Sequence, residues 1–372
     1  MTPHSQIHKF MAFYMLIFLV ACGVMALATF VFKHGEFELE DVTTTRVLKG
    51  KVAANIEKEF EDNLFIRDAA VGLWGAINYG LFHSGKDKVV IGEDGWLFTS
   101  EEFEVLKSSE NNEQRFLSLV KRIHGHLKDH DIELVVVLLP AKSRLYSEYL
   151  GRASVPQYRQ ALYERVRGRL LAQNIFVPDV YTHLREKKSA QQLFLKLDTH
   201  WTPEGAQIVA DYVAQAVSER SISLEGTDFT TDKKDTVELA GDLEKFIPTG
   251  IFKPFLGPEA ETISVFETQK QSDGLGLGGL FGEEVIPVTL IGTSYSAIDK
   301  WNFDGALKTA LQADVLNRAL EGKGPLAPMA EFLTDTDLTK STTKLVIWEI
   351  PERFVPVAYD DVQFPKFIEE SK

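Results

Sequence analysis

Cysteine is nearly absent: Cys22 is the only one in 372 residues. No intrachain disulfide and no cysteine-rich metal site can form, so packing and hydrogen bonds must hold the fold. Positive charge is also scarce. Lys and Arg number 40 against 54 Asp and Glu, a formal net charge of −14. That balance excludes nucleic acid as the main partner, and any polyanion would need a local basic patch. There is no internal repeat. His124, His126 and His130 share one helical stretch, but no acidic or cysteine ligand can be placed beside them. They read as a surface feature, and neither a metal nor a cofactor is expected.

One apolar run stands out. Phe10 to Phe32 carries no charge over 23 residues, enough to span a bilayer as a helix. Lys9 precedes it, and Glu36, Glu38, Glu40 and Asp41 follow Lys33. The positive-inside rule then leaves residues 1–9 in the cytoplasm, makes 10–32 a signal anchor, and puts the rest outside. A cleaved signal peptide would have a shorter apolar core. Leu19-Val20-Ala21-Cys22 has the form of a lipoprotein cleavage box, yet Gly23 through Phe32 stays apolar, which suits an uncleaved anchor better.

Residues 33–80 read as a charged, helix-prone stalk whose end, through Leu73, Trp74, Ile77 and Tyr79, packs on the main domain. That domain spans 81–365. Val89 to Phe98 reads as a hairpin turning at Asp94-Gly95. From about residue 110 helices and strands alternate. Helical spacing recurs through Phe116, Leu119, Val120, Ile123 and Leu127. Strands are expected at 133–139, 175–177, 285–291, 313–316 and 344–348, and helices at 158–173, 203–219 and 326–333. The alternation implies an α/β fold with a mostly parallel, doubly covered sheet. Residues 221–284 break the rhythm. They read as an irregular insertion ending in the glycine-rich Gly274–Gly282, and they separate two chemically suggestive motifs, so they could wall a site.

The first motif is Leu197-Asp198-Thr199-His200-Trp201-Thr202-Pro203. On an extended segment Asp198 and His200 would point the same way, with Pro203 opening a helix. Asp198 could equally cap that helix. The second motif, Ile291-Gly292-Thr293-Ser294-Tyr295-Ser296, follows an apolar strand, which puts Ser294 at the strand's carboxyl end, where α/β sheets bind ligands. A serine needs a base to become a nucleophile, and a histidine needs a carboxylate to hold its tautomer. Ser294, His200 and Asp198 supply all three types, with Thr293 and Ser296 as rival nucleophiles. Lys142, Arg144 and Tyr146 follow the 133–139 strand, Tyr295 follows Ser294, and Arg353 follows the last strand. All five are candidate contacts for an acidic substrate.

These two motifs, together with Pro140-Ala141-Lys142-Ser143-Arg144-Leu145-Tyr146, Gly95-Trp96-Leu97-Phe98 and Trp348-Glu349-Ile350-Pro351-Glu352-Arg353, occur in one order. In that order they resemble the periplasmic alginate O-acetyltransferases, the AlgJ/AlgX-type SGNH-hydrolase-like family. The anchor, and the lack of room for a C-terminal carbohydrate-binding module, place the chain nearer the AlgJ branch. The resemblance implies an SGNH-hydrolase-like sheet flanked by helices, with Ser294 as nucleophile, His200 as base and Asp198 as its orienting carboxylate. The Asp/His pair precedes the serine, the reverse of ordinary SGNH esterases, so the usual oxyanion blocks do not carry over. The Ser294 N–H is one donor, and Gly322 and Gly324 are candidates for the second. The resemblance further implies an exopolysaccharide acceptor in the periplasm, alginate or a relative such as acetylated cellulose. It implies an acetyl donor passed from a multispanning membrane O-acyltransferase, beside other alginate acetylation proteins at the inner membrane. An acetylesterase with the same triad and a non-catalytic polysaccharide-binding subunit are the competing readings.

Overall fold

A computed structural model describes residues 3–33, 43–62, 64, 66–271 and 285–369. The chain divides into two compact units. One comprises residues up to Phe82 with Ile247–Gly257; the other comprises His83–Phe246 with Pro258–Lys372.

The second unit opens with β1 (Val89–Ile91) and β2 (Leu97–Thr99), paired antiparallel. Asp94 and Gly95 both have positive φ, 52° and 79°, the backbone that a type I′ turn demands. Then come β3 (Glu133–Leu139), β4 (Phe229–Leu239), β5 (Glu261–Lys270), β6 (Val288–Ile291), β7 (Val315–Asn317) and β8 (Leu345–Pro351). The main sheet is all parallel, in the order β3-β8-β6-β7. The two-residue period of a strand divides its side chains between layers. Val135, Val137 and Leu139 face the helices Pro203–Glu219 and Phe303–Leu311, while Leu134, Val136 and Leu138 face Ser109–Lys128 and Leu326–Asp335. Burial on both faces explains why these strands are continuous apolar runs.

Three expectations change. The 158–173 helix is two, Gln157–Gln160 and Leu162–Leu171. Arg144 takes the carbonyls of Arg159 and Gln160, diverting acceptors that a continuous helix would use. The 175–177 strand is a single bridge, Phe176 to Val135. The 221–284 insertion is not irregular throughout, because β4 and β5 pair antiparallel along their length, with a register shift between Lys233 and Asp235. Most of β4 is exposed, so backbone pairing rather than a buried face sustains it. Gly274–Gly282 lies outside the described residues.

The first unit begins with the helix Pro3–Lys33. Its His8–Ala26 window, mean hydropathy 2.0, makes it the one helix among the described residues long and apolar enough to cross a membrane. Thr44–Leu48, Lys51–Asp62 and Arg67–Ile77 follow. Leu73 and Trp74 are exposed. The helix Arg67–Ile77 buries Gly72, Gly75 and Ala76 instead. A Cβ on Gly75 would sit 2.1 Å from the Pro248 carbonyl oxygen, so only glycine lets this backbone approach.

Candidate active site

β6 ends at Ile291, and the chain turns through Gly292 and Thr293 before Ser294 opens a single helical turn, Ser294–Ala297. Beneath this turn lies Glu349 of β8, fully buried. Its carboxylate accepts from the Thr293 N–H at 2.7 Å, the Thr293 hydroxyl at 3.0 Å and the Ser296 hydroxyl at 3.1 Å. Both rival nucleophiles are thereby occupied, and Ser294, half-buried, is left facing the site. A Cβ on Gly292 would meet the Glu349 Oε2 at 2.6 Å. Burial pushes the Glu349 carboxyl up to about 7, against the pull of those hydrogen bonds.

Asp198 and His200 lie in a bend rather than an extended segment. Asp198 Oδ1 accepts from the His200 backbone N–H at 3.0 Å and meets His200 Nδ1 at 2.6 Å, so one carboxylate oxygen holds both ends of the residue. Its other oxygen accepts the Asp242 N–H at 2.9 Å. Burial would raise the Asp198 carboxyl, but the hydrogen bonds from His200 and the Asp242 N–H outweigh it and hold the group down to about 2. An ionised Asp198 can only accept, so Nδ1 carries the proton and Nε2 presents a lone pair. That lone pair lies 2.7 Å from the Ser294 hydroxyl, which donates to it. Asp198 does not cap the next helix; Thr202 does, accepting from the Gly205 N–H at 3.0 Å. Trp301 stacks on the His200 ring at 5.3 Å and Tyr295 lies across it at 4.7 Å, fixing its plane.

A serine, a histidine and a carboxylate thus form an unbroken hydrogen-bonded relay at the carboxyl end of a parallel sheet. A family model described as "SGNH hydrolase-like domain, acetyltransferase AlgX" matches residues 89–352. The chain belongs to this family. It is 38% identical over 86% of its length to the "Probable alginate O-acetylase AlgJ" of Azotobacter vinelandii, covering 83% of that protein. It is 39% identical to the protein of the same name from Pseudomonas aeruginosa, over 86% of this chain and 84% of that one. The solved "O-Acetyltransferase Domain of Pseudomonas putida AlgJ" superimposes with a TM-score of 0.68 at 36% identity, covering 76% of this chain and 97% of that domain.

Each of the five candidate substrate contacts has partners within the chain. Lys142 is fully buried, and its ammonium donates to the carbonyls of Leu195, Lys196 and Asp198 at 2.7, 3.0 and 2.7 Å. Burial pushes it down to about 8, against the pull of Glu102, Glu261, Asp198 and Asp242. Arg144 is paired with Glu352 through Nε and Nη2, each at 2.9 Å. The Tyr146 hydroxyl accepts from the Leu193 N–H at 2.8 Å. The Tyr295 hydroxyl donates to the Thr199 carbonyl and accepts from Arg353 Nη1 at 2.8 Å. Arg353 Nε lies 3.2 Å from Glu101, a charge contact whose N–H is not aimed at the carboxylate. Lys142, Tyr295 and Arg353 thus brace the segments that carry the relay, Tyr146 holds Leu193, and Arg144 ties Glu352 to the carbonyls of Arg159 and Gln160. No contact ties Gly322 or Gly324 to Ser294 among the described residues; Gly324 faces Tyr359 and Gly322 faces open space.

Two functional supports escape a reading of the sequence. Asp242, from the insertion, accepts from the Thr199 N–H at 2.8 Å and its hydroxyl at 2.7 Å, so the insertion supports the Asp198–His200 bend. Nothing near Asp242 in sequence signals this. Glu349 left a trace: it is the one charged residue inside an otherwise apolar strand. The ligand atoms of Asp198, His200 and Asp242 lie within 4.8 Å of one another, a grouping that could hold a metal. Both His200 ring nitrogens, however, are already engaged by Asp198 and Ser294. His126 stacks on Phe367 at 4.4 Å and His130 bonds the His126 carbonyl, which gives that pair a packing role.

Proposed function

We propose that this chain is an alginate O-acetyltransferase, held at the inner membrane by residues 10–32, with residues 1–9 cytoplasmic, 33–80 as a stalk and the catalytic domain in the periplasm. The Ser294–His200–Asp198 relay is the observation that carries the proposal, and the names of its relatives support the substrate. Ser294 Oγ attacks the carbonyl carbon of an acetyl group offered by a donor, passed from a multispanning membrane O-acyltransferase. His200 Nε2 takes the hydroxyl proton as the C–O bond forms. The Ser294 N–H steadies the developing oxyanion. The tetrahedral species collapses, the leaving oxygen takes the proton from His200, and acetyl-Ser294 remains. A mannuronate hydroxyl then attacks, again losing its proton to His200, and Ser294 departs reprotonated. Asp198 stabilises the imidazolium in both halves.

The test uses the full chain in detergent with a chromogenic acetyl ester and mannuronate oligomers, followed by mass spectrometry of protein and sugar. Acetylated oligomer and acetyl-Ser294, both lost in Ser294→Ala, are expected. Free acetate with no acetylated sugar would replace the transferase by an esterase. Turnover retained in Ser294→Ala would remove the nucleophile assignment.

A further inference from the structure

The helix Arg67–Ile77 is built inside out. Its buried positions are Gly72, Gly75 and Ala76, set against the backbone of residues 248–250. Its large side chains point outward, and the pattern continues through the wider turn Asn78–Phe82. Val71, Trp74 at 62%, Leu81 at 73% and Phe82 are exposed, and so are Ile251 at 71% and Phe255 at 83% from the segment packed on this helix. In a water-facing helix the large apolar residues would be the buried ones. Small residues inward and large apolar residues outward is the arrangement of helices that pack within lipid. A patch of this kind on a water-soluble surface marks a docking site.

Charge points the same way. No charged residue occurs from Val71 through Phe82, and Lys253 is the only one in 247–257, within a chain that is 25% charged. The compact unit that carries this patch also carries the helix long and apolar enough to cross a membrane. Residues 34–66 join the anchor helix to Arg67, and among them Lys51–Asp62 spans about 18 Å at 1.5 Å per residue. The patch is therefore on a tether of 33 residues to the bilayer that holds the anchor. Tryptophan and phenylalanine at its centre suit the headgroup boundary, where an aromatic body can leave water without entering the chain region.

We propose that the surface formed by Val71, Trp74, Leu81, Phe82, Ile251 and Phe255 rests on the lipid headgroup layer as a foot beside the anchor. The proposal relies on the anchor reading above. The foot holds the base of the stalk at the membrane, at the level where an acetyl group carried across the bilayer would emerge.

The molecule supplies its own reporter. Of its five tryptophans, Trp74 alone is exposed; the others are buried. Full-length protein is reconstituted alone into phosphatidylcholine–phosphatidylglycerol vesicles, with brominated lipid as the membrane quencher and iodide as the aqueous one. The Trp74 component is isolated by difference from Trp74→Phe. The expected result is several-fold stronger quenching by shallow lipid bromines than by iodide, falling in Phe255→Glu. Quenching mainly by iodide overturns the foot. So does protection from both quenchers, which would mean that protein covers the patch. Alkaline carbonate extraction is run in parallel: release of the chain would sink the anchor, whereas retention with iodide-accessible Trp74 would sink the foot alone.

Discussion

Asp198 and Glu349 are two buried carboxyls a few residues from the chemistry, and their surroundings push them in opposite directions. Asp198 is held down to about 2, so it stays ionised at any working pH. Its contribution to stability is present above about pH 4, the unfolded value, and is lost as pH falls through 2. Asp198→Asn keeps the shape but lets His200 carry its proton on the wrong nitrogen. The turnover number should fall on the order of 10³-fold or more, with the melting temperature little changed, as a chromogenic acetyl ester and a thermal scan would read. Glu349 is pushed up to about 7. Between its unfolded value near 4.5 and 7 the native state keeps a proton that the unfolded chain has released, so stability falls as pH rises through that window. The loss from this group is on the order of 2–3 kcal/mol between pH 5 and 8. Denaturant titrations at both pH values should show that slope in the wild type and a flatter one in Glu349→Gln. Equal slopes would count against the burial argument.

At the level of elements, the insertion matters most. Hairpin β4–β5 frames the segment that supplies Asp242, and Glu261 at the start of β5 accepts the N–H groups of Lys196 and Leu197. The insertion is a strut under the Asp198–His200 bend. Asp242→Ala strands the Thr199 N–H and hydroxyl, which should cost about 1–3 kcal/mol. It should also lower the turnover number roughly tenfold by loosening the bend; a melting curve and steady-state rates measure the two effects. How well each element could be read from sequence follows its physics. Strand Glu133–Leu139 and helix Pro203–Glu219 match expectation because both carry their own signals, a continuous apolar run in one and Thr202-Pro203 as cap and first turn in the other. The relay residues were legible because they sit in short motifs beside such signals. β4 was not, since Asp232, Lys233, Lys234 and Asp235 give it no buried face to betray a strand. The scaffold roles of Lys142, Arg144 and Arg353 were hidden for a related reason. A cation at a strand end reads as a ligand contact until its acceptors, brought from distant parts of the chain, are seen to be filled.

For the molecule as a whole, charge sets the terms on which an acidic polymer approaches. The chain carries −14, and Lys142, Arg144 and Arg353 are already engaged by carbonyls or carboxylates. A polyuronate acceptor therefore meets net repulsion that salt should relieve. Screening lengths shrink from roughly 30 Å at 0.01 M to about 8 Å at 0.15 M. Raising salt over that range should lower KM for mannuronate oligomers a few-fold while leaving KM for a neutral acetyl ester unchanged. An increase in the oligomer KM would instead reveal an attractive basic surface.

The order of strands has a consequence for when the molecule can act. β8 is the last strand made, yet it lies between β3 and β6 and supplies Glu349 beneath the Ser294 turn. The Asp198–His200 bend is synthesised early and the serine later, but β3 has no neighbour in the sheet, and β6 has only β7, until residues 345–351 arrive. A chain threaded through a membrane from its amino end would stay chemically silent until residues 345–351 had crossed. The same strand order that builds the site thus delays any acyl chemistry until β8 is in place.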